Sequence, residues 1–204
     1  MALITTVKVS GINNLSDARY CAGMGAAMLG FDCNPASANY LPPEKVREIA
    51  GWVAGVELVG EVAGPSLPDH LASYPFTAWQ VADEAALAAL QATGLPIWYA
   101  LELASPADLA LAGETMIRLA PQVAGFLLLG AGLRPDGPVE AQLQALAARF
   151  PLLVGFGIGG DNVQRVLERV RPLGVALQGG HELGPGLGDL DALAEVLELL
   201  EAED

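Results

Sequence analysis

Lys8 and Ser10 stand two residues apart in the run VKVSGI, so an extended chain turns both side chains to the same face. A serine hydroxyl does not by itself accept a proton near neutral pH, which makes Ser10 alone a poor base. Asp32 and Cys33 are better acid or base candidates. They follow one another at the end of an apolar run, where pleating sends only one of them to a given face. Glu61 and Glu102 close two later apolar runs, although a solvated loop carboxylate is the commoner role for such residues. Two glycine-rich stretches, GFGIGGDNV and GVALQGGHELGPG, can bring bare backbone N–H groups to an anion or can serve only as tight turns. His181 can face the same anion, but a lone histidine more often packs or lies in solvent. Cys21 and Cys33 form no CxxC or Cys/His ligand pattern, so neither a metal site nor a cofactor is implied.

These residues need a scaffold, and the stretch VKVSGINNLSDARYCAGMGAAMLG phases it. Residues 4–9 are rich in β-branched types and read as a strand, 17–25 as a helix capped by Ser16 and ended by Gly25, and 28–31 as a second strand. Helix 2 is expected over 43–53 and strand 3 over 55–62, with a brief helix inside 65–73. Strand 4 follows over 76–81, a helix over 83–92 and strand 5 over 96–101. The next helix opens at 105–108 and is expected to break near Gly113. Strand 6 spans 123–129 and its helix 139–149. Strand and helix then alternate over 152–156, 161–170, 175–178 and 190–200. Eight such units at roughly 25 residues each, with no antiparallel signal, predict an α/β fold: one (β/α)8 TIM barrel over residues 1–204 with a closed parallel sheet. Closure gathers the loops after the strands on one face.

Composition narrows the partners. With 52% hydrophobic and 17% charged residues in 204, the chain has enough apolar surface for a substantial core. A formal charge of −14 with only 10 Lys and Arg argues against nucleic acid or an acidic membrane as a partner. No apolar run nears the roughly 20 residues needed to span a bilayer. The opening MALITTVKVSG lacks the apolar core of a signal peptide, which makes a reducing cytoplasm the simplest address.

The runs VKVSGI, GFDCNPASANYLPPEKVREI, GFGIGGDNV and GVALQGGHELGPG, in that order, resemble the phosphoribosylanthranilate isomerase family, (β/α)8 enzymes of tryptophan biosynthesis. The resemblance covers both ends of the chain and is weaker from about residue 61 to 126. It implies an Amadori rearrangement, in which an acid protonates a ribosyl ring oxygen and a base removes the proton from the neighbouring sugar carbon. The family's strand-1 pattern KxCGI falls on Lys8 and Ser10, with Ser10 replacing the cysteine base. Its carboxylate-binding Arg falls on Asn39. Its strand-6 Asp acid falls on Leu129 and Gly130, and a strand-8 Asp on Ala176. The phosphate loops carry over to Gly157, Ile158, Gly179, Gly180 and His181, although Phe156 replaces one family glycine.

The leading expectation is therefore an isomerase-like barrel that binds a phosphorylated small molecule and whose Amadori activity is lost or altered. The alternative is a working isomerase whose proton transfer has moved to Asp32, Cys33 or Glu61. A third reading is a structural or regulatory barrel that has no small-molecule ligand and meets a protein partner or a second copy through its outer helices.

Overall fold

The computed structural model describes residues 2–179, 182–184, 187–188 and 190–202. Eight strands pair in parallel in chain order: β1 (Thr6–Ser10), β2 (Met28–Asp32), β3 (Glu57–Val62), β4 (Ala78–Val81), β5 (Ile97–Glu102), β6 (Gly125–Leu129), β7 (Leu152–Val154) and β8 (Gly174–Gln178). β8 returns to β1 with five residue pairs, from Thr6 opposite Gly174 to Ser10 opposite Gln178, and this seam closes the barrel. Both faces of each strand are covered, so the strands read as nearly continuous apolar runs.

Alternation along the strands divides the core in two. Met28, Val59, Ala78, Trp98, Ala100, Leu127, Leu153 and Ala176 fill the barrel interior, and the residues between them pack outward against the helices. The helices are α1 (Leu15–Gly23), α2 (Pro43–Ala50), α3 (Glu84–Leu90), α4 (Asp108–Leu119), α5 (Pro138–Ala147), α6 (Val163–Arg169) and α7 (Asp191–Leu199). The third unit has only a single 3-10 turn, Leu71–Ser73, because Pro65 and Pro68 interrupt the segment after β3. A short antiparallel pair, β9 (Glu182–Gly184) and β10 (Leu187–Gly188), lies between β8 and α7.

Two local expectations are corrected. Asn14 caps α1 in place of Ser16. Its backbone is extended, and its side chain accepts the Asp17 N–H at 2.8 Å, so the helix begins at Leu15. Asn14→Ala should lower stability by about 1 kcal/mol and Ser16→Ala by only a few tenths, as read by urea denaturation; equal effects would return the cap to Ser16. The second correction is at Gly113, where α4 runs through unbroken. A side chain there would meet Leu146 of α5 at 3.3 Å, so this glycine serves a close helix contact and not a break.

Candidate active site

The last inward-facing residues of the strands form the floor of the barrel mouth. On β1 these are Lys8 and Ser10, and on β3 the corresponding position is Glu61. Lys8, although fully buried, donates to both Ser10 Oγ and Glu61 Oε1. The Ser10 hydroxyl in turn donates to the same Oε1 at 2.6 Å. Glu61 keeps 16% of its side-chain surface exposed, and its Oε2 accepts no hydrogen bond among the described residues. The three-residue cluster spans β2 because β2 has Gly30 at the crossing point. A Cβ there would overlap the Glu61 carboxylate and lie 2.7 Å from Lys8 Nζ.

Asp32, two residues after Gly30, shares its inward parity and pairs in register with Glu61. Its Oδ1 accepts the Asn34 N–H at 2.8 Å, so that oxygen is occupied in shaping the loop after β2. Cys33 is turned the other way and corrects the expectation that it could act as an acid or base. It is buried between strand and helix, with Sγ directed at the Phe31 carbonyl. Burial, aided by the neighbouring Asp32 and Glu61 charges, pushes its thiol up to about 12. Cys21 is likewise raised to about 12 by burial and then by Asp17.

Both thiols hold their protons more tightly in the folded chain than at their ordinary value of 9.0. Folding stability should therefore be unaffected by these groups below pH 9 and fall as pH rises from 9 towards 12, where the unfolded chain releases protons that the folded one keeps. The native protein should also resist iodoacetamide at about pH 8. Denaturation curves and mass spectrometry would check both outcomes, and rapid native alkylation of Cys33 would contradict the burial argument.

The other side of the mouth lacks charge at the expected positions. Glu102, at the end of β5, has the inward parity of Trp98 and Ala100 and is exposed; its register partner on β6 is Leu129. Gly130 lies against Leu103, with a built Cβ 2.8 Å from the Leu103 carbonyl, so the position bearing the family's acid has no room for one. Asn39, exposed in the loop after β2, accepts from Asn13 Nδ2 at 3.2 Å and retains only its own amide N–H groups as donors.

After β7 the chain makes a glycine loop beside a cavity of about 280 Å³, lined by Gly155, Gly157, Ile158, Gln178 and the first turn of α7. Phe156, which stands where the family has a glycine, is 2% exposed and packs outward, leaving the cavity wall to its neighbours. Asn162 was not singled out from the sequence, yet it holds this loop: its Oδ1 accepts the Gly159 N–H at 3.0 Å and its Nδ2 donates to the Gly157 carbonyl at 2.7 Å. Its setting in the sequence, an Asn at the end of a glycine-rich run, does not by itself report these bonds. The Gly179 N–H is committed to the Ser10 carbonyl at 2.7 Å, which corrects its expected role as an anion donor. Gly180 and His181 lie outside the described residues. Among the described residues, the Gly157 and Ile158 amides make no backbone hydrogen bond. Within the same set, no three His, Cys, Asp or Glu side chains are placed to hold a metal, and no helix is long and apolar enough to cross a membrane.

No family model matches the chain. It is 30% identical over 200 residues to the N-(5'-phosphoribosyl)anthranilate isomerase of Myxococcus xanthus, covering 92% of each. It is 27% identical to that of Syntrophus aciditrophicus, covering 95% of this chain and 86% of the relative. Among solved structures, monomers generated from the dimeric phosphoribosylanthranilate isomerase of Thermotoga maritima superpose with a TM-score of 0.74 at 25% identity, covering 96% of this chain and 97% of that one. An isomerase bound to reduced 1-(o-carboxyphenylamino)-1-deoxyribulose 5-phosphate superposes with a TM-score of 0.75 at 24% identity, covering 96% and 97%. With a relative 30% identical over 92% of both chains, the chain belongs to the phosphoribosylanthranilate isomerase family.

Proposed function

We propose that the chain is a working phosphoribosylanthranilate isomerase in which the base has moved from the end of β1 to Glu61. The observation that carries this reading is the Lys8–Ser10–Glu61 cluster: a carboxylate leans over the position of the family's base, with one oxygen held by Lys8 and Ser10. Lys8 and Ser10 fix the carboxylate's orientation, and Oε2 is left to take the proton from the sugar carbon next to the anomeric centre. Glu102, one strand from the vacant acid position, supplies the proton to the ring oxygen. Ring opening, driven by the nitrogen lone pair, leaves a protonated Schiff base; loss of the proton on the neighbouring carbon to Glu61 turns it into an enolamine, which takes a proton at the former anomeric carbon and tautomerises to the ketose.

The substrate phosphate is received by the Gly157 and Ile158 amides at the cavity between the ends of β7 and β8. Asn39 offers the anthranilate carboxylate a neutral donor, weaker than a charged fork. Loss of turnover, the expectation drawn from Ser10, Gly130 and Asn39, finds no support among the curated relatives, and Glu61 answers its strongest part, the missing base. The direct test is the fluorescence assay on freshly formed phosphoribosylanthranilate, with complementation of a tryptophan auxotroph lacking the isomerase. Turnover with growth is expected. No turnover from folded protein, together with no growth, would return the reading to a binding barrel.

A further inference from the structure

Gln80 is the last inward-facing residue of β4. It lies in register with Glu61 on one side and Trp98 on the other, and it has the parity of Ala78, which fills the barrel interior. Both neighbours turn their side chains away from it. Glu61 leans over Gly30 to reach Lys8 and Ser10 on β1. The Trp98 indole leans over Gly125 on β6, where a Cβ would come within 2.4 Å of the ring. The stretch of wall above β4 is therefore left to one amide.

That amide has no partner within the described residues. Its Oε1 is buried and accepts no hydrogen bond. The residue is nevertheless part-exposed, and its open side is the mouth, because Val59 and Ala78, the inward residues beneath it, are fully buried. The exposed end of the amide is thus Nε2, which carries two N–H groups that no described residue engages. An unpaired buried acceptor costs stability that a methionine of the same length would not, so such an orphan in a native fold calls for an explanation. Its place beside the base supplies one.

We propose that Gln80 is a substrate-binding residue of this mouth, donating from Nε2 to the hydroxyl on the sugar carbon whose proton Glu61 takes. The assignment rests on the isomerase reading above. Adjacent parallel strands lie about 4.8 Å apart, and glutamine reaches as far from its backbone as glutamate, so the two side chains can meet the same carbon from neighbouring strands. That carbon bears one oxygen. As a hydroxyl it accepts a hydrogen bond, and it goes on accepting once it is the carbonyl of the ketose, so one donor serves throughout the reaction. Anchoring the oxygen turns the C–H bond towards Glu61 Oε2. A neutral donor suits this task, because a cation at the same place would favour the ionised Glu61 and weaken it as a base.

The test uses two probes: the isomerised product with its ketone reduced to an alcohol of the substrate's own configuration, and the same compound lacking that hydroxyl. Calorimetric titration of the wild type should show the hydroxylated probe bound about threefold to tenfold tighter, the advantage of one hydrogen bond. In Gln80→Met the two affinities should become equal, with the loss falling on the hydroxylated probe alone. Equal affinities in the wild type, a preference that persists in the variant, or no saturable binding of either probe up to several millimolar would each overturn the assignment. The wild-type comparison decides without the variant if Gln80→Met does not fold. Turnover separates this role from the isomerase reading. An active wild type that binds both probes equally keeps its reaction and loses only the role of Gln80, whereas a folded wild type that shows the preference without turnover keeps the contact and loses the reaction.

Discussion

Glu61→Gln is expected to lower kcat by about 10²- to 10⁴-fold, the usual loss when a positioned base is removed. It should also destabilise the fold. Lys8 is fully buried, and Glu61 is its only carboxylate partner among the described residues, so the amide leaves a charge in the barrel floor without compensation. Breaking such a pair from one side costs about 3–5 kcal/mol, with the lower end expected here because Glu61 is partly open to the mouth. The double variant Lys8→Met with Glu61→Leu separates the two effects: it should recover most of the stability and none of the activity. A rate within twofold of wild type for Glu61→Gln, measured by the fluorescence assay, would remove Glu61 from the mechanism whatever happens to stability.

Gly157→Ala should raise the Michaelis constant for the phosphorylated substrate by tenfold or more while changing kcat far less. Gly157 has φ +60°, a left-handed conformation that costs a side-chain-bearing residue about 1–2 kcal/mol. A Cβ there would also run into the Leu133 carbonyl and sit 2.9 Å from Arg134 Cα, so the loop after β6 would be forced off the glycine loop. Backbone does not yield as a flexible side-chain tip does, and the Gly157 and Ile158 amides would turn from the cavity. Competitive inhibition by inorganic phosphate should weaken in parallel. Unchanged inhibition would place the phosphate elsewhere on the mouth.

The barrel was legible because parallel strands buried on both faces leave unbroken β-branched and leucine runs, such as residues 125–129, and because proline and glycine punctuate them. The positions at the strand ends followed from that phasing. What composition and spacing did not expose was pairing through space. Glu61 was one of several strand-end carboxylates until the register of β1, β2 and β3 placed it over Ser10, and Gly30 was an ordinary strand residue until it proved to be the gap through which Lys8 reaches it. Cys33 and Asp32 differ by one step of the pleat, which decides between a buried thiol and an inward carboxylate. Asn162 and Gly179 act through hydrogen bonds to Gly159, Gly157 and Ser10 that no local pattern reports.

The bond from the Gly179 N–H to the Ser10 carbonyl joins the two strands that lie farthest apart along the barrel sequence. Contacts of such long range require most of the loop entropy to be spent before they form, so this seam belongs to the slow, late part of folding. In the proposed isomerase, the loop assigned to the phosphate and the strand whose Lys8 and Ser10 hold Glu61 are therefore brought together only when the cylinder closes. Exchange of the Gly179 amide with solvent then follows the opening of the whole barrel and not the breathing of a loop. An intermediate with seven strands paired has its helices and most of its core in place, yet it cannot hold both ends of a substrate.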